Sequence, residues 1–308
     1  MEVPGFRVGP SRYKEVYSYM IDISKAIKNY LSSEMGGVSE LSREKALDVA
    51  DGVEKALIIA DRTGGKGLAF AENIATLYRI ALMSVAEEGG KVNLDMLLES
   101  VHRVIEDYAG NVIRELGSVC GQLKGGVAIY LDKSVGGECL RSRGGGEVLA
   151  IDDRPFNLLR EVVRRGKSGV KVYPYIASKQ ALENAEYLII ELLSLSARYG
   201  VAKSGARSLV DLAVDAGTKL VFVVPGLSVR SITSHYSLET LPRYQVMMEW
   251  MEYVYFPLYD VVDASRASLI YTESVKLDEL NIAGLESIWR STLSRLLEEA
   301  LARYLRSV

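Results

Sequence analysis

Residues 185–225 constrain the fold more than any other part of the chain. Residues 187–193 are almost entirely apolar, as in a parallel strand that is covered on both faces. A loop and a helical pattern follow, and residues 220–224 predict a second buried strand. In open α/β sheets, ligands bind where the carboxyl end of a strand leads into a helix. The loop at 194–204, which carries Lys203, is therefore the first candidate site.

The periodicity of apolar residues changes near the middle of the chain. Up to residue 124 the spacing is helical in successive segments, roughly 12–31, 42–58, 68–88 and 93–123. Beyond the glycines at 125 and 126, short strand-like runs alternate with helical patterns. We therefore predict an α/β protein, with an N-terminal all-helical domain (1–124) followed by a Rossmann-like parallel-sheet domain (125–308).

Composition excludes several classes of function. The net charge of −3 over 308 residues argues against a broad surface for direct nucleic-acid binding. The sequence lacks both an apolar run of about 18 residues, which a membrane span needs, and the apolar core of a signal peptide. Cys120 and Cys139 with only His102 and His235 make a poor metal set. We expect a cytoplasmic protein with reduced cysteines, no metal and no cofactor.

Charged residues follow several predicted strands and should share one edge of the sheet. Lys133 and Ser134 follow the first strand, Arg154 follows the second, and Lys203 follows the fourth. Three cations beside helix N-termini form a suitable pocket for a phosphate or carboxylate. The alternative interpretation is that these are solvated charges of surface loops.

Other motifs point to function less clearly. The glycine-rich segments 62–67 and 143–146 lack the spacing of a phosphate-binding loop, and neither follows a strand. We interpret both as loops. His102 lies within a predicted helix and is interpreted as a packing or surface residue, whereas His235 lies on the predicted edge as a candidate ligand contact. The aromatic run 247–256 fits either an oligomer interface or ordinary core packing.

Collinear motifs carry a resemblance to a known superfamily. Residues 185–206 keep Gly200, Lys203 and Gly205 of a strand–loop pattern that ends in Asn-Lys-x-Gly-Thr. Further matches, in order, are 7–12, 62–73, the Asp-Asp-Arg-Pro of 152–155, the Phe-Pro-Leu-Tyr-Asp of 256–260 and the Leu-Ile-Tyr-Thr-Glu of 269–273. Nearly the whole chain thus resembles the alpha, beta and delta subunits of translation initiation factor 2B. Their superfamily includes ribose-1,5-bisphosphate isomerase and 5-methylthioribose-1-phosphate isomerase.

The sequence departs from the isomerases at their catalytic positions. The resemblance places their cysteine at Asp132, their aspartate at Leu193 and their asparagine at Ala202. A leucine cannot transfer a proton, and loss of one such group typically costs about 10²–10⁴-fold in rate. We therefore expect no catalytic residues and no isomerase activity.

The resemblance implies a non-catalytic regulatory or binding protein that retains a pocket for a sugar phosphate or nucleotide. The expected ligand-binding residues, all polar or at a helix start, are Arg7, Arg62, Lys133, Ser134, Arg154, Lys203 and Gly205. Implied partners are a second copy of the chain, in a homodimer or higher homo-oligomer formed through the α/β domain, and translation initiation factor 2. The alternative is a sugar-phosphate isomerase with altered catalytic residues, for which Asp132 and Glu191 are the available acids.

Overall fold

The computed structural model describes residues 15–34, 40–60, 68–87, 92–143, 147–152, 169–231, 244–249, 252–257 and 259–307. Its first part is helical, as predicted. The helices are α1 (Val16–Glu34), α2 (Arg43–Ala60), α3 (Ala69–Glu87) and α4 (Leu94–Gln122), with the two-residue strands β1 (Glu40–Leu41) and β2 (Val92–Asn93) paired between them. Asn93 caps α4, because its side chain accepts a hydrogen bond from the Met96 N–H.

A chain of buried polar groups connects three of these helices. The Ser24 hydroxyl of α1 lies 3.0 Å from the Tyr78 hydroxyl of α3 and 2.9 Å from Nδ1 of His102 in α4. Burial lowers the pKa of His102, which favours the neutral imidazole. His102 is therefore a packing residue.

The second part is built on a largely parallel sheet, which confirms the predicted fold class. The strands of its main order are β3 (Val127–Tyr130), β4 (Val148–Asp152), β5 (Val170–Pro174), β6 (Tyr187–Leu195), β8 (Lys219–Val223), β12 (Leu269–Tyr271) and β13 (Lys276–Leu277). They lie in the order β13-β12-β8-β6-β3-β4-β5, and the pairs from β12 to β5 are parallel. The described connecting helices are α5 (Lys133–Ser142), α6 (Ser178–Glu183) and α7 (Ala206–Ala216).

The predicted loop at 194–204 is instead part of the sheet. Strand β6 continues to Leu195, and β7 (Tyr199–Lys203) pairs antiparallel with it after a tight turn. Ser196 closes that turn, since its N–H donates to the Tyr199 carbonyl at 2.9 Å. Strand β11 (Tyr259–Asp263) then pairs with the other edge of β7. The prediction of an irregular loop was wrong because β7 obtains its second partner from 55 or more residues further along the chain.

Two elements near the end of the chain depart from the predicted pattern of strands that alternate with helices. The segment before β11 contains a separate antiparallel pair, β9 (Tyr244–Glu249) and β10 (Glu252–Pro257). Helix α8 (Ile282–Ser307) returns to the helical part, where Arg303 forms a 2.6 Å ion pair with Asp107 of α4. The division into domains at residue 124 therefore stays a prediction. Among the described residues, no helix combines the length and the apolar character needed to cross a membrane.

Helices α4 and α5 are joined covalently, which corrects the expectation of reduced cysteines. Cys120 and Cys139 form a disulfide with their Cα atoms 5.1 Å apart. Gly117 allows this close approach, because a Cβ atom there would overlap the side chain of Glu138. The number of cysteines could not predict this disulfide, because composition does not show that the end of α4 lies against α5.

Arg143 completes the junction between the helical part and the sheet. Its buried guanidinium donates to the carbonyls of Cys120 at 2.9 Å and Leu123 at 3.0 Å, and also to that of Gly125. The Cys120 carbonyl lies in the last turn of α4 and those of Leu123 and Gly125 follow the helix, so none of the three has a helical partner of its own. One side chain therefore satisfies the C-terminal end of α4 and the linker to β3.

We expect Arg143→Met to lower the free energy of unfolding by roughly 2–4 kcal/mol, because it leaves buried carbonyl groups unpaired. Chemical denaturation measures the change. The matched control is Arg290→Met, which removes an exposed i,i+4 ion pair with Glu286 and should cost less than about 0.5 kcal/mol. Equal effects of the two substitutions would contradict this role of Arg143.

Candidate functional site

Two buried carboxyl groups meet at the carboxyl edge of the sheet. Ile190 of β6 pairs with Tyr130 of β3, so that Glu191 lies beside the residues that follow β3. The Asp132 N–H donates to Glu191 Oε2 at 3.0 Å, and the Tyr17 hydroxyl donates to Oε1 at 2.7 Å. Glu191 is 5% exposed and Asp132 7%. The pair is thus enclosed between the sheet and helix α1.

Burial controls the protonation of Glu191. Loss of solvent, together with the charge of Asp132, raises the pKa of Glu191 to about 8, although the hydrogen bonds from Tyr17 and Asp132 oppose this shift. Burial and the adjacent Glu191 also raise the pKa of Tyr17 well above its usual value. Burial therefore favours the protonated form of the Glu191 carboxyl group beside Asp132.

Lys203 is the cation closest to this pair among the described residues. Its ammonium group lies 4.0 Å from Asp132 Oδ1, donates to the Leu131 carbonyl at 3.2 Å and lies 3.9 Å from the centre of the Tyr130 ring. The β6–β7 hairpin brings it there, since β7 runs back toward the end of β3. The predicted proximity of Lys203 to the residues after the first strand is therefore observed.

Ser134, at the start of α5, contacts a carboxylate of the chain itself. The Ser134 N–H donates to Glu15 Oε1 at 3.1 Å, and its hydroxyl donates to Glu15 Oε2. Glu15 directly precedes α1. Lys133 begins α5 and is exposed. The N–H and hydroxyl predicted to hold an anion thus already bind one, supplied by the helical part.

Gly205, at the start of α7, shows the same arrangement. Its N–H and that of Arg207 donate to Asp260 Oδ2 of β11 at 2.9 and 3.0 Å. Gly205 has a positive φ of 96°, and a Cβ there would lie 2.8 Å from the Tyr175 ring. The glycine is therefore required by backbone geometry, and the start of α7 is also occupied by an internal carboxylate.

The remaining predicted residues divide into two groups. Arg7, Arg62, Arg154 and His235 lie outside the described residues, so their positions stay predictions. Leu193, which the resemblance assigns to the family's aspartate position, is buried in the apolar core. The acid that contacts Asp132 is instead Glu191, two residues earlier.

Sequence reasoning missed Glu15, Tyr17 and Asp260 as parts of this site. Their contacts span 55 to 174 residues of chain. A single acid within the otherwise apolar strand β6 was the available signal, and it pointed to Glu191. Among the described residues, no group of three or more His, Cys, Asp or Glu side chains is placed to hold a metal ion.

Comparison with known proteins identifies the fold class as that of the initiation factor 2B subunits and related isomerases. No sequence-family model and no curated protein matches the chain. Among solved structures, translation initiation factor eIF-2B from Pyrococcus horikoshii OT3 is similar at a TM-score of 0.61 and 14% identity, over 87% of this chain and 94% of that one.

Two further structures extend the similarity. One is the tetrameric eIF2B-beta2-delta2 complex from C. thermophilum, with a TM-score of 0.60 and 11% identity over 91% of this chain and 90% of that one. The other is 5-methylthioribose 1-phosphate isomerase from Pyrococcus horikoshii OT3. It has a TM-score of 0.53 and 17% identity over 91% of this chain and 88% of that one. The resemblance stated from the sequence is confirmed at the level of the fold, with low identity that fits a divergent chain.

We expect Glu191→Gln to reduce the pH dependence of stability. An unfolded glutamate loses its proton near pH 4.3, whereas the folded one keeps it to about pH 8. The folded state therefore binds more protons between these values, and its stability falls as the pH rises through them. Glutamine does not titrate.

The measurement is the free energy of unfolding of both proteins at pH 5 and pH 8. The wild type should lose at least about 1.4 kcal/mol more than the variant over this interval, the equivalent of one pKa unit. Parallel profiles would show that Glu191 is ionised in the folded protein.

Proposed function

We propose that the chain is a non-catalytic binding or regulatory protein of the initiation factor 2B type. The observation that carries the proposal is the contact of Glu15 with Ser134. The resemblance to the isomerases assigns this helix start to the phosphorylated ligand, and here a side chain of the same molecule supplies the anion. A protein that converts a sugar phosphate needs this position to be open to substrate.

The charges around the site support this proposal. Asp132 lies 4.0 Å from Lys203, and three further carboxyl groups of this edge are bound within the chain: Glu15 at Ser134, Glu191 at the Asp132 N–H and Asp260 at Gly205. A phosphate at Ser134 would meet the like charge of Glu15 unless that side chain moved away. We therefore propose that a phosphorylated small molecule binds only by displacing Glu15, which makes ligand binding a regulated step.

The replacement of the family's thiol supports the same conclusion. Asp132 stands where the resemblance places a catalytic cysteine, and its backbone N–H is held by Glu191. A carboxylate is a far weaker nucleophile and base than a thiolate with a matched acid. The function that remains is recognition of a ligand or partner.

Assembly with other chains forms part of the proposal. The similar structures include a tetrameric complex of beta and delta subunits. We propose that this chain forms a homodimer or higher homo-oligomer and that translation initiation factor 2 is a candidate partner. Sedimentation analysis of the purified chain, alone and with the factor, tests both statements.

We expect Glu15→Ala to strengthen the binding of ribose 1,5-bisphosphate by roughly tenfold, since the internal competitor for Ser134 is removed. Lys203→Met should abolish the binding. Titration calorimetry measures both. Glu44→Ala, which removes an exposed acid from the first turn of α2, is the matched control and should bind as the wild type does. Absence of binding by the wild type and by Glu15→Ala alike would contradict a phosphate pocket.

A second function is favoured by one specific observation, the 3.0 Å contact between the Asp132 N–H and the buried carboxyl group of Glu191, whose pKa is raised by burial. Such a pair could act as acid and base in an aldose–ketose isomerisation. Incubation with ribose 1,5-bisphosphate or methylthioribose 1-phosphate distinguishes the functions. We expect no turnover. Turnover that Asp132→Asn reduces by 10²-fold or more would replace the non-catalytic proposal with this one.

A further inference from the structure

The ammonium group of Lys203 is held by several contacts within the molecule. Lys203 ends β7, where its backbone pairs with Tyr259 of β11. Its Nζ atom donates to the Leu131 carbonyl, and it lies 4.0 Å from Asp132 Oδ1 and 3.9 Å from the centre of the Tyr130 ring. The side chain is only 13% exposed. Lys203 therefore has a defined position, although lysine is among the side chains with the most rotational freedom.

Tyr130 makes two of the contacts that fix this part of the chain. It ends β3, where it pairs with Ile190 of β6, and its side chain is fully buried. The face of its ring lies against the Lys203 ammonium group, and the negative face of an aromatic ring attracts a cation. Its hydroxyl group donates to the carbonyl of Ser204, the residue directly after Lys203. One side chain thus holds both the charged end of Lys203 and the backbone that follows it.

A second tyrosine supports this arrangement from the segment that follows β5. The Tyr175 ring packs against the Tyr130 ring with 6.2 Å between the ring centres, a separation typical of aromatic pairs. The Tyr175 hydroxyl donates to the Gly205 carbonyl at 2.7 Å. Asp260 of β11 accepts from the N–H of the same glycine at 2.9 Å. The turn between β7 and α7 is therefore held through its carbonyl groups and its N–H groups together.

We propose that Tyr130 is a positioning residue of the candidate anion site, and that the face of its ring holds the Lys203 ammonium group in place to bind a phosphate. The inference rests on the proposed function in one respect, namely that Lys203 contacts the phosphorylated ligand. Binding to an ordered lysine loses less rotational entropy than binding to a freely rotating one. Tyr130 therefore increases the affinity without touching the ligand, since its own side chain is fully buried.

Substitution separates positioning from packing, because the two parts of the tyrosine side chain can be removed one at a time. Phenylalanine at position 130 keeps the ring face and loses the hydroxyl group, whereas leucine loses both. If the ring face positions Lys203, phenylalanine should rescue what leucine loses. If Tyr130 served packing alone, the state of the Lys203 side chain would not depend on which of the two replaced it.

Nuclear magnetic resonance of the full-length protein, labelled with ¹³C at the Cε atoms of lysine, tests the contact directly. Protons that lie over the face of an aromatic ring resonate upfield of their usual position. We expect an upfield Cε–H resonance for Lys203, identified by its absence from Lys203→Met. Tyr130→Phe should retain this shift, and Tyr130→Leu should remove it. A Lys203 resonance at the usual lysine position in the wild type overturns the inference, and this outcome requires no Tyr130 variant to fold.

Titration calorimetry with ribose 1,5-bisphosphate measures the effect on binding. Tyr130→Leu should weaken the binding by about tenfold, the effect of losing a partly desolvated cation–π contact. Tyr130→Phe should stay within about threefold of the wild type. The matched control is Tyr187→Leu, which removes a contact of the same kind with Lys219, 5.3 Å from the ring centre at the opposite edge of the sheet. This control should bind as the wild type does.

The outcomes distinguish this inference from the proposed function. Equal binding by the wild type and Tyr130→Leu overturns the positioning role and leaves the phosphate pocket standing. Binding by Tyr130→Phe that is as weak as that of Tyr130→Leu has the same meaning, because the ring face alone would then be without effect. Absence of binding by the wild type and by Glu15→Ala overturns the phosphate pocket and this inference with it, whatever the Lys203 resonance shows.

Discussion

The hydrogen bond from Tyr17 to Glu191 joins the helical part of the molecule to the sheet at the point where the candidate site lies. It exists because β6 carries one acid in an apolar strand, and because α1 brings a phenol against that acid. The same burial raises the pKa of Glu191 and favours its protonated form beside Asp132. The position of α1 therefore places both contacts at the site, that of Tyr17 with Glu191 and that of Glu15 with Ser134.

The architecture followed from the sequence wherever a pattern was local. Apolar spacing within α3 and α4 and the largely apolar run of β6 marked those elements within a few residues of their observed ends. Strand β7 was not predicted, because its five residues, which begin Tyr-Gly, carry little intrinsic preference for the strand conformation. Its strand conformation depends on pairing with β11, which a pattern confined to neighbouring residues cannot reveal.

The candidate site was predictable in part from the rule that parallel strands end at one edge of a sheet. That rule predicted that Lys203 and Asp132 meet, and they lie 4.0 Å apart, although Lys203 arrives through the antiparallel strand β7 and not through a loop after β6. The identity of the anion at Ser134 could not be expected, because the sequence does not show that Glu15, 119 residues earlier, reaches the start of α5. Glycine, serine and lysine at strand ends indicate where an anion can bind, and they do not indicate which anion binds there.

The disulfide between Cys120 and Cys139 closes a loop of 19 residues that contains the linker to the sheet, strand β3 and both Asp132 and Ser134. A loop of this length removes on the order of 3 kcal/mol of conformational entropy from the unfolded chain. With the disulfide intact, the segment that crosses from the helices to the sheet is therefore restricted in the unfolded chain as well. Reduction of the disulfide would remove this restriction and leave the residues of the site unchanged. The free energy of unfolding of this protein therefore depends on the redox potential of its surroundings.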